Sequence, residues 1–214
     1  MKLKVCGMGE NVLEVAGLLP DYLGFIFWEP SSRFFNLPLP DLNQNIEKVG
    51  VFVDASIGEI LSKISLYDLQ AIQLHGKESP QFCKSLKEEI LERKLEINII
   101  KVFQLKDSFN FDKLLPFERV CDFFLFDTKG KLPGGNGSQF NWSLLQNYPS
   151  KKPFFLSGGI GPNDLEKIDG FLKSPMAKYC YALDINSKFE KQPGVKKIAE
   201  IESFINKISA IHKN

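Results

Sequence analysis

Three side chains and one glycine run carry most of the chemistry legible in this sequence. Cys6 follows Lys4-Val5 and precedes Gly7. A free cysteine is either a small buried hydrophobe or, once ionised, a base or nucleophile, and position alone leaves both readings open. Asp127 comes directly after Phe123-Phe124-Leu125-Phe126. A carboxylate placed there either caps the next turn or, with its pKa raised by burial, donates a proton. Arg33 sits in a polar loop, where a guanidinium is either solvated or grips a carboxylate or phosphate through two parallel hydrogen bonds. The run Ser157-Gly158-Gly159-Ile160-Gly161-Pro162-Asn163 reads as a tight turn into a helix or as a phosphate cradle, because glycines let backbone N–H groups approach an anion. Gly134-Gly135-Asn136-Gly137 reads as a lid or as an ordinary loop. His75 could ligate a metal with Cys6 and Asp127, but a single histidine with scattered partners is a poor ligand set.

These residues need elements to hold them. Short apolar runs, each bounded by polar or small residues, occur at Leu3–Cys6, Tyr22–Phe27, Val49–Val53, Ala71–Leu74, Ile99–Phe103, Phe123–Asp127, Phe154–Leu156 and Tyr179–Asp184. They read as buried parallel strands. Amphipathic stretches lie between them, at Glu10–Leu19, Ser56–Ser65, Ser79–Lys94, Phe111–Phe117, Asn141–Tyr148, Pro162–Leu172 and Val195–Ile211, with a weaker helical candidate at Asp41–Glu47. Trp28–Asp41 is a Pro-rich loop. Strands that alternate with helices in this way form either an open doubly wound sheet or a closed barrel. No Gly-x-Gly-x-x-Gly follows the first strand, which weakens the open dinucleotide-binding sheet. The expectation is an α/β chain folded as a single (β/α)8 TIM barrel over residues 1–214.

In such a barrel the active site lies at the C-terminal strand ends. The residues found there are Cys6, Arg33, Asp54, His75, Gln104, Asp127, Ser157 with its glycines, and Asp184 followed by Asn186 and Ser187. Their convergence on one rim says more than any one of them alone.

Composition removes several other classes. The 27 basic and 26 acidic residues balance to a net charge of +1, and no basic stripe interleaves with aromatics, so nucleic acid is not an expected partner. The longest apolar run, Tyr22–Trp28, is too short to span a bilayer. Glu10 and Glu14 interrupt any signal-peptide core, which points to a cytoplasmic protein. Cys6, Cys83, Cys121 and Cys180 form no Cys-x-x-Cys and read as free thiols.

The ordered motifs resemble those of phosphoribosylanthranilate isomerase. They are Lys4-Val5-Cys6-Gly7-Met8, Asp21 to Phe27, Ser32-Arg33, Val49 to Val53, Gln73-Leu74-His75-Gly76, Asp127-Thr128-Lys129, Gly134 to Gly137 with Phe140-Asn141-Trp142, Ser157 to Ile160, and Glu190 with Pro193-Gly194. The set keeps its order over nearly the whole chain. The resemblance implies a cofactor-free, metal-free barrel of tryptophan biosynthesis that acts on a phosphosugar, N-(5-phosphoribosyl)anthranilate. It implies an Amadori rearrangement with Cys6 as general base and Asp127 as general acid. Arg33, His75, Gly135, Ser157, Gly158, Gly159, Asp184, Asn186 and Ser187 are expected to bind substrate, with Arg33 on the anthranilate carboxylate. The expected assembly is a monomer or homodimer. Asn186-Ser187-Lys188 departs from the family's usual Ser-Ser-Gly, Gly9 from a usual Thr or Arg, and Asn141 from a usual Asp. Lys188 lacks glycine's backbone freedom, but its ammonium could instead attract the phosphate.

Overall fold

The computed structural model describes residues 1–128 and 140–211. The expectations for Gly135 and the Gly134–Gly137 lid lie outside the described residues.

Eight parallel strands close into a barrel in sequence order. They are β1 (Lys2–Val5), β2 (Tyr22–Ile26), β3 (Glu47–Phe52), β4 (Ala71–Leu74), β5 (Asn98–Leu105), β6 (Phe123–Thr128), β7 (Phe154–Leu156) and β8 (Cys180–Ile185). The seam joins β1 to β8, with Lys4 opposite Asp184. The expected barrel is therefore the observed one.

Side chains alternate along a strand, so every second residue of each strand enters the barrel. The lower interior is filled by Tyr22, Val49, Ala71, Ile100, Val102, Leu125, Phe155 and Ala182. Continuing upward by twos leads from Ala71 to Gln73 and His75, from Leu125 to Asp127, from Phe155 to Ser157, and from Ala182 to Asp184 and Asn186. The polar residues are thus the upper layers of the column whose base is apolar. The other faces of the strands bury Val5, Phe25, Phe52, Leu74, Phe126 and their neighbours against the surrounding elements, at about 1.5–3 kcal/mol for each large side chain.

Most of the outer elements are shorter than their amphipathic patterns suggest, whereas the one expected at Ser56–Ser65 runs on to Tyr67 and Phe111–Phe117 keeps its bounds. The helices are α1 (Val12–Ala16), α2 (Ile57–Tyr67), α3 (Pro80–Glu92), α4 (Leu165–Leu172) and α5 (Ile198–Ile211). Ser56 and Ser79 cap α2 and α3 by accepting from the Glu59 and Phe82 amides at 3.2 and 3.1 Å, which satisfies donors that a helix start leaves open. Phe111–Phe117 and Trp142–Asn147 form 3-10 turns rather than α-helices. Pro116 lies inside the first and lacks the amide that an α-helix would use. Aromatic rings cover this side of the barrel, with Phe103 edge-on to Phe117 and Phe124, and Phe126 edge-on to Tyr148 and Phe154.

Two helical expectations fail. Asp41–Glu47 is not helical, because the Asn43 side chain accepts from the Asn45 amide at 2.9 Å and makes a turn, while Glu47 opens β3. Val195–Ile211 is helical only from Ile198. Its first residues form β10 (Val195–Lys196), antiparallel to β9 (Glu190–Gln192) across the Pro193-Gly194 turn.

Candidate active site

One cleft at the C-terminal strand ends is lined by Cys6, Arg33, His75, Asp127, Ser157, Gly159, Asp184, Asn186 and Ser187, with Trp28, Val51 and Gln73 among the remaining walls. Every described residue expected to bind or react is there except Gly158, which shapes the loop beside it.

Cys6 continues β1, its amide donating to Ile185 O at 2.9 Å. Gly24 on the neighbouring strand makes room for the thiol: a Cβ there would stand 2.8 Å from Cys6 Sγ. Two residues before Cys6 and on the same face lies Lys4, which is fully buried. Its Nζ donates to Gln73 Oε1 at 2.7 Å and to Asp184 Oδ2 at 3.0 Å, and its charge acts on the Cys6 thiol. Burial pulls this ammonium down, but Asp184 and Cys6 beside it outweigh that and hold it above its ordinary value. Burial pushes the Cys6 thiol up, more than Lys4 and Lys196 pull it down, and Asp184 adds to the rise. The Asp184 carboxyl is raised by burial against the pull of Lys4, with Asp127 adding to the rise. Its Oδ1 is buried with no hydrogen-bond partner among the described residues.

Asp127 is buried at the end of β6, where its Oδ1 accepts from the Thr128 amide at 2.8 Å. The other oxygen stands 3.4 Å from His75 Nε2. Both readings of Asp127 therefore have a counterpart: one oxygen caps the next residue and the other faces the cleft. His75 is held from below, its amide donating to Phe52 O at 2.8 Å. The turn after it is tied by a buried ion pair, Lys101 Nζ to Glu78 Oε2 at 2.7 Å, with Lys101 also donating to Gly76 O at 2.9 Å.

Arg33 is neither solvated nor free. Its Nε and Nη2 edge is clamped on Glu190 at 2.7–3.0 Å. Glu190 Oε1 also accepts from Lys196 Nζ at 2.7 Å, and Lys196 donates to Asn186 Oδ1 at 2.8 Å. Burial would raise the Glu190 carboxyl, but the two cations overcome it and hold it below its ordinary value. Burial lowers the Lys196 ammonium against the pull of Glu190. Among the described residues the guanidinium is bonded through Nε and Nη2 to Glu190, with no bond at Nη1.

In the glycine run, Gly158 and Gly159 have φ of +93° and +71°. A Cβ on Gly158 would stand 2.8 Å from the Thr128 amide nitrogen. Asp164 Oδ2 accepts from the Gly161 amide at 2.7 Å, and α4 starts at Leu165 rather than Pro162. The Lys188 Cβ lies 3.2 Å from the place a Cβ on Gly161 would take, so Lys188 leans across this loop. Asn141, where the family usually has Asp, caps the turn that follows, its Oδ1 accepting from the Ser143 amide at 3.0 Å.

Four site residues escaped the sequence reading in any functional role: Lys4, Gln73, Glu190 and Lys196. Lys4 and Gln73 had a signal, since each lies two positions before a candidate residue on a strand and so shares its face. Among the described residues no group of three or more His, Cys, Asp or Glu is arranged to hold a metal ion.

A family model described as N-(5'phosphoribosyl)anthranilate (PRA) isomerase matches residues 3–207. N-(5'-phosphoribosyl)anthranilate isomerase of Parabacteroides distasonis is 41% identical, over 97% of this chain and 93% of that one. The crystal structure of phosphoribosyl anthranilate isomerase from Thermus thermophilus superposes with a TM-score of 0.79 at 26% identity, covering 99% and 100% of the two chains. A phosphoribosyl anthranilate isomerase in complex with reduced 1-(o-carboxyphenylamino)-1-deoxyribulose 5-phosphate superposes with a TM-score of 0.75 at 26% identity, covering 98% and 99%.

Proposed function

The chain belongs to the N-(5'-phosphoribosyl)anthranilate isomerase family, and from that premise we propose how its own residues divide the work. The enzyme converts N-(5-phosphoribosyl)anthranilate into 1-(2-carboxyphenylamino)-1-deoxyribulose 5-phosphate, a step of tryptophan biosynthesis. Asp127 protonates the furanose ring oxygen, and the bond from that oxygen to C1 breaks as the anilino nitrogen donates its electron pair. The Cys6 thiolate removes the C2 proton, and the electrons form the C1–C2 double bond of an enolamine while the nitrogen is neutralised. The enolamine then tautomerises to the ketone. At that point Cys6 holds a proton that Asp127 has lost, and the cycle closes when the two are reset.

Arg33 receives the anthranilate carboxylate with the part of its guanidinium that Glu190 leaves free. The Gly158–Gly159 turn and Asn186-Ser187 receive the phosphate, with Lys188 supplying a positive charge at that end. Anchoring both ends fixes the reacting carbon between acid and base, where geometry supplies much of the rate. The observation that carries the reading is the convergence of Cys6, Asp127 and Arg33 on one cleft. The four free cysteines fit a reducing compartment, and we place the enzyme in the cytoplasm as a monomer or homodimer. No described helix is long and apolar enough to cross a membrane.

The test follows the fluorescence of phosphoribosylanthranilate as it is consumed. Cys6→Ala and Asp127→Asn should each abolish measurable turnover without loss of fold. Normal turnover in either variant overturns the role given to that residue. Arg33→Ala should raise KM, and an unchanged KM removes Arg33 from the anthranilate site.

A further inference from the structure

A line of buried polar groups connects the surroundings of Cys6 to Asp127, and the donor or acceptor role of each member follows from the first. Lys4 Nζ can only donate, so the Gln73 atom 2.7 Å from it is the acceptor Oε1. The other end of that amide can only donate, and it stands 3.3 Å from His75 Nδ1. Nδ1 must then present its lone pair, which leaves the ring proton of the neutral imidazole on Nε2. That nitrogen is buried, has no hydrogen-bond partner among the described residues, and stands 3.4 Å from Asp127 Oδ2. Lys4 and Gln73 are almost wholly enclosed, so water does not offer the amide an alternative orientation.

We propose that Lys4 and Gln73 are positioning residues that lock His75 as its Nε2–H tautomer, so that this N–H receives the Asp127 carboxylate once the acid has given its proton to the substrate. The proposal rests on the reading of Asp127 as the general acid. While Asp127 is protonated it needs no donor on Oδ2, and the 3.4 Å separation is longer than a hydrogen bond. A charge-assisted N–H···O⁻ bond is about 2.7–2.9 Å. The gap therefore closes by roughly 0.5–0.7 Å as Asp127 ionises, and the interaction strengthens along the reaction coordinate, which is where it accelerates the step. The orienting cation is the same Lys4 that lies beside the Cys6 thiol, so one buried charge serves acid and base alike.

The chain has two histidines, His75 and His212, so His212→Gln leaves a single imidazole for nitrogen-15 NMR. The expected spectrum is that of the Nε2–H tautomer, and an Nδ1–H tautomer overturns the proposal. Gln73→Glu is nearly isosteric and keeps an acceptor for Lys4, but it turns the group facing Nδ1 from donor to acceptor. It should move the ring proton to Nδ1 and lower kcat on the order of 100-fold, the cost of one lost transition-state donor, with KM within about twofold. An unchanged tautomer or an unchanged kcat in Gln73→Glu refutes the proposal, and the wild-type spectrum decides if that variant does not fold. Normal turnover by Asp127→Asn would instead sink the acid reading, a separate failure, since the tautomer is read without catalysis.

Discussion

Glu190→Gln should destabilise the enzyme far more than its small change in shape suggests. In the folded protein Glu190 is the anion between Arg33 and Lys196, whose side chains are 14% and 0% exposed. The glutamine brings an NH2 group toward donors and leaves two cations with no counter-charge between them. Breaking a buried ion pair on one side costs about 3–5 kcal/mol. The partial exposure of Arg33 and the amide oxygen that remains place the expected loss near 3 kcal/mol. For a chain of this size that is a fall in Tm of roughly 6–12 °C.

The sign with pH follows from the depressed Glu190 carboxyl. The stability it contributes is fully present above its unfolded value, 4.5, and disappears as pH falls through the lower folded value. The gap between wild type and variant should therefore be constant from pH 6 to 8 and narrow only in acid. Urea unfolding of wild type, Glu190→Gln, Lys196→Met and the double variant measures the coupling. Lys196→Met removes the surplus cation, so it should recover about 1–3 kcal/mol in the Glu190→Gln background. Strictly additive losses, or a Tm change under 2 °C in Glu190→Gln, would refute the account of a charge-balanced cluster.

Two further outcomes follow from the site. Burial holds the Cys6 thiol above its ordinary value, so the thiolate of the free enzyme is still building up over the pH range in which an ordinary thiol is already ionising. Alkylation of Cys6 by iodoacetamide, followed by peptide mass spectrometry, should rise about tenfold per pH unit from 7 to 9, and a plateau below pH 8 would contradict the raised value. Gly158→Ala forces a side chain into positive φ against the Thr128 amide. It should cost about 2–4 kcal/mol and weaken inhibition by inorganic phosphate, and a variant with wild-type Tm and phosphate affinity would show that the turn is not under this constraint.

The barrel and its rim were legible because they depend on local patterns. Brief apolar runs ending in Cys6, His75, Asp127 and Asp184 fix both the strands and the end at which chemistry collects. What stayed hidden depends on distant partners. Arg33 reads as a loop arginine, and nothing local says that Glu190, 157 residues away, clamps it. Lys196 lies in a stretch with helical periodicity, and only the Pro193-Gly194 turn hints at the hairpin that carries it into the site. The outer elements after β5 and β6 were overestimated because amphipathic spacing does not distinguish a full α-helix from a 3-10 turn backed by aromatic rings.

The seam between β1 and β8 also sets an order of events during synthesis. Lys4 and Asp184 are 180 residues apart, and ribosomes add roughly 5–20 residues per second. For about 10–40 s, then, β1 carries a cation whose polar partner Gln73 has been made but whose counter-charge has not, and an uncompensated charge resists burial. The ion pair at the seam, and with it the pairing of β1 with β8 that closes the barrel, can form only after the last strand has been made.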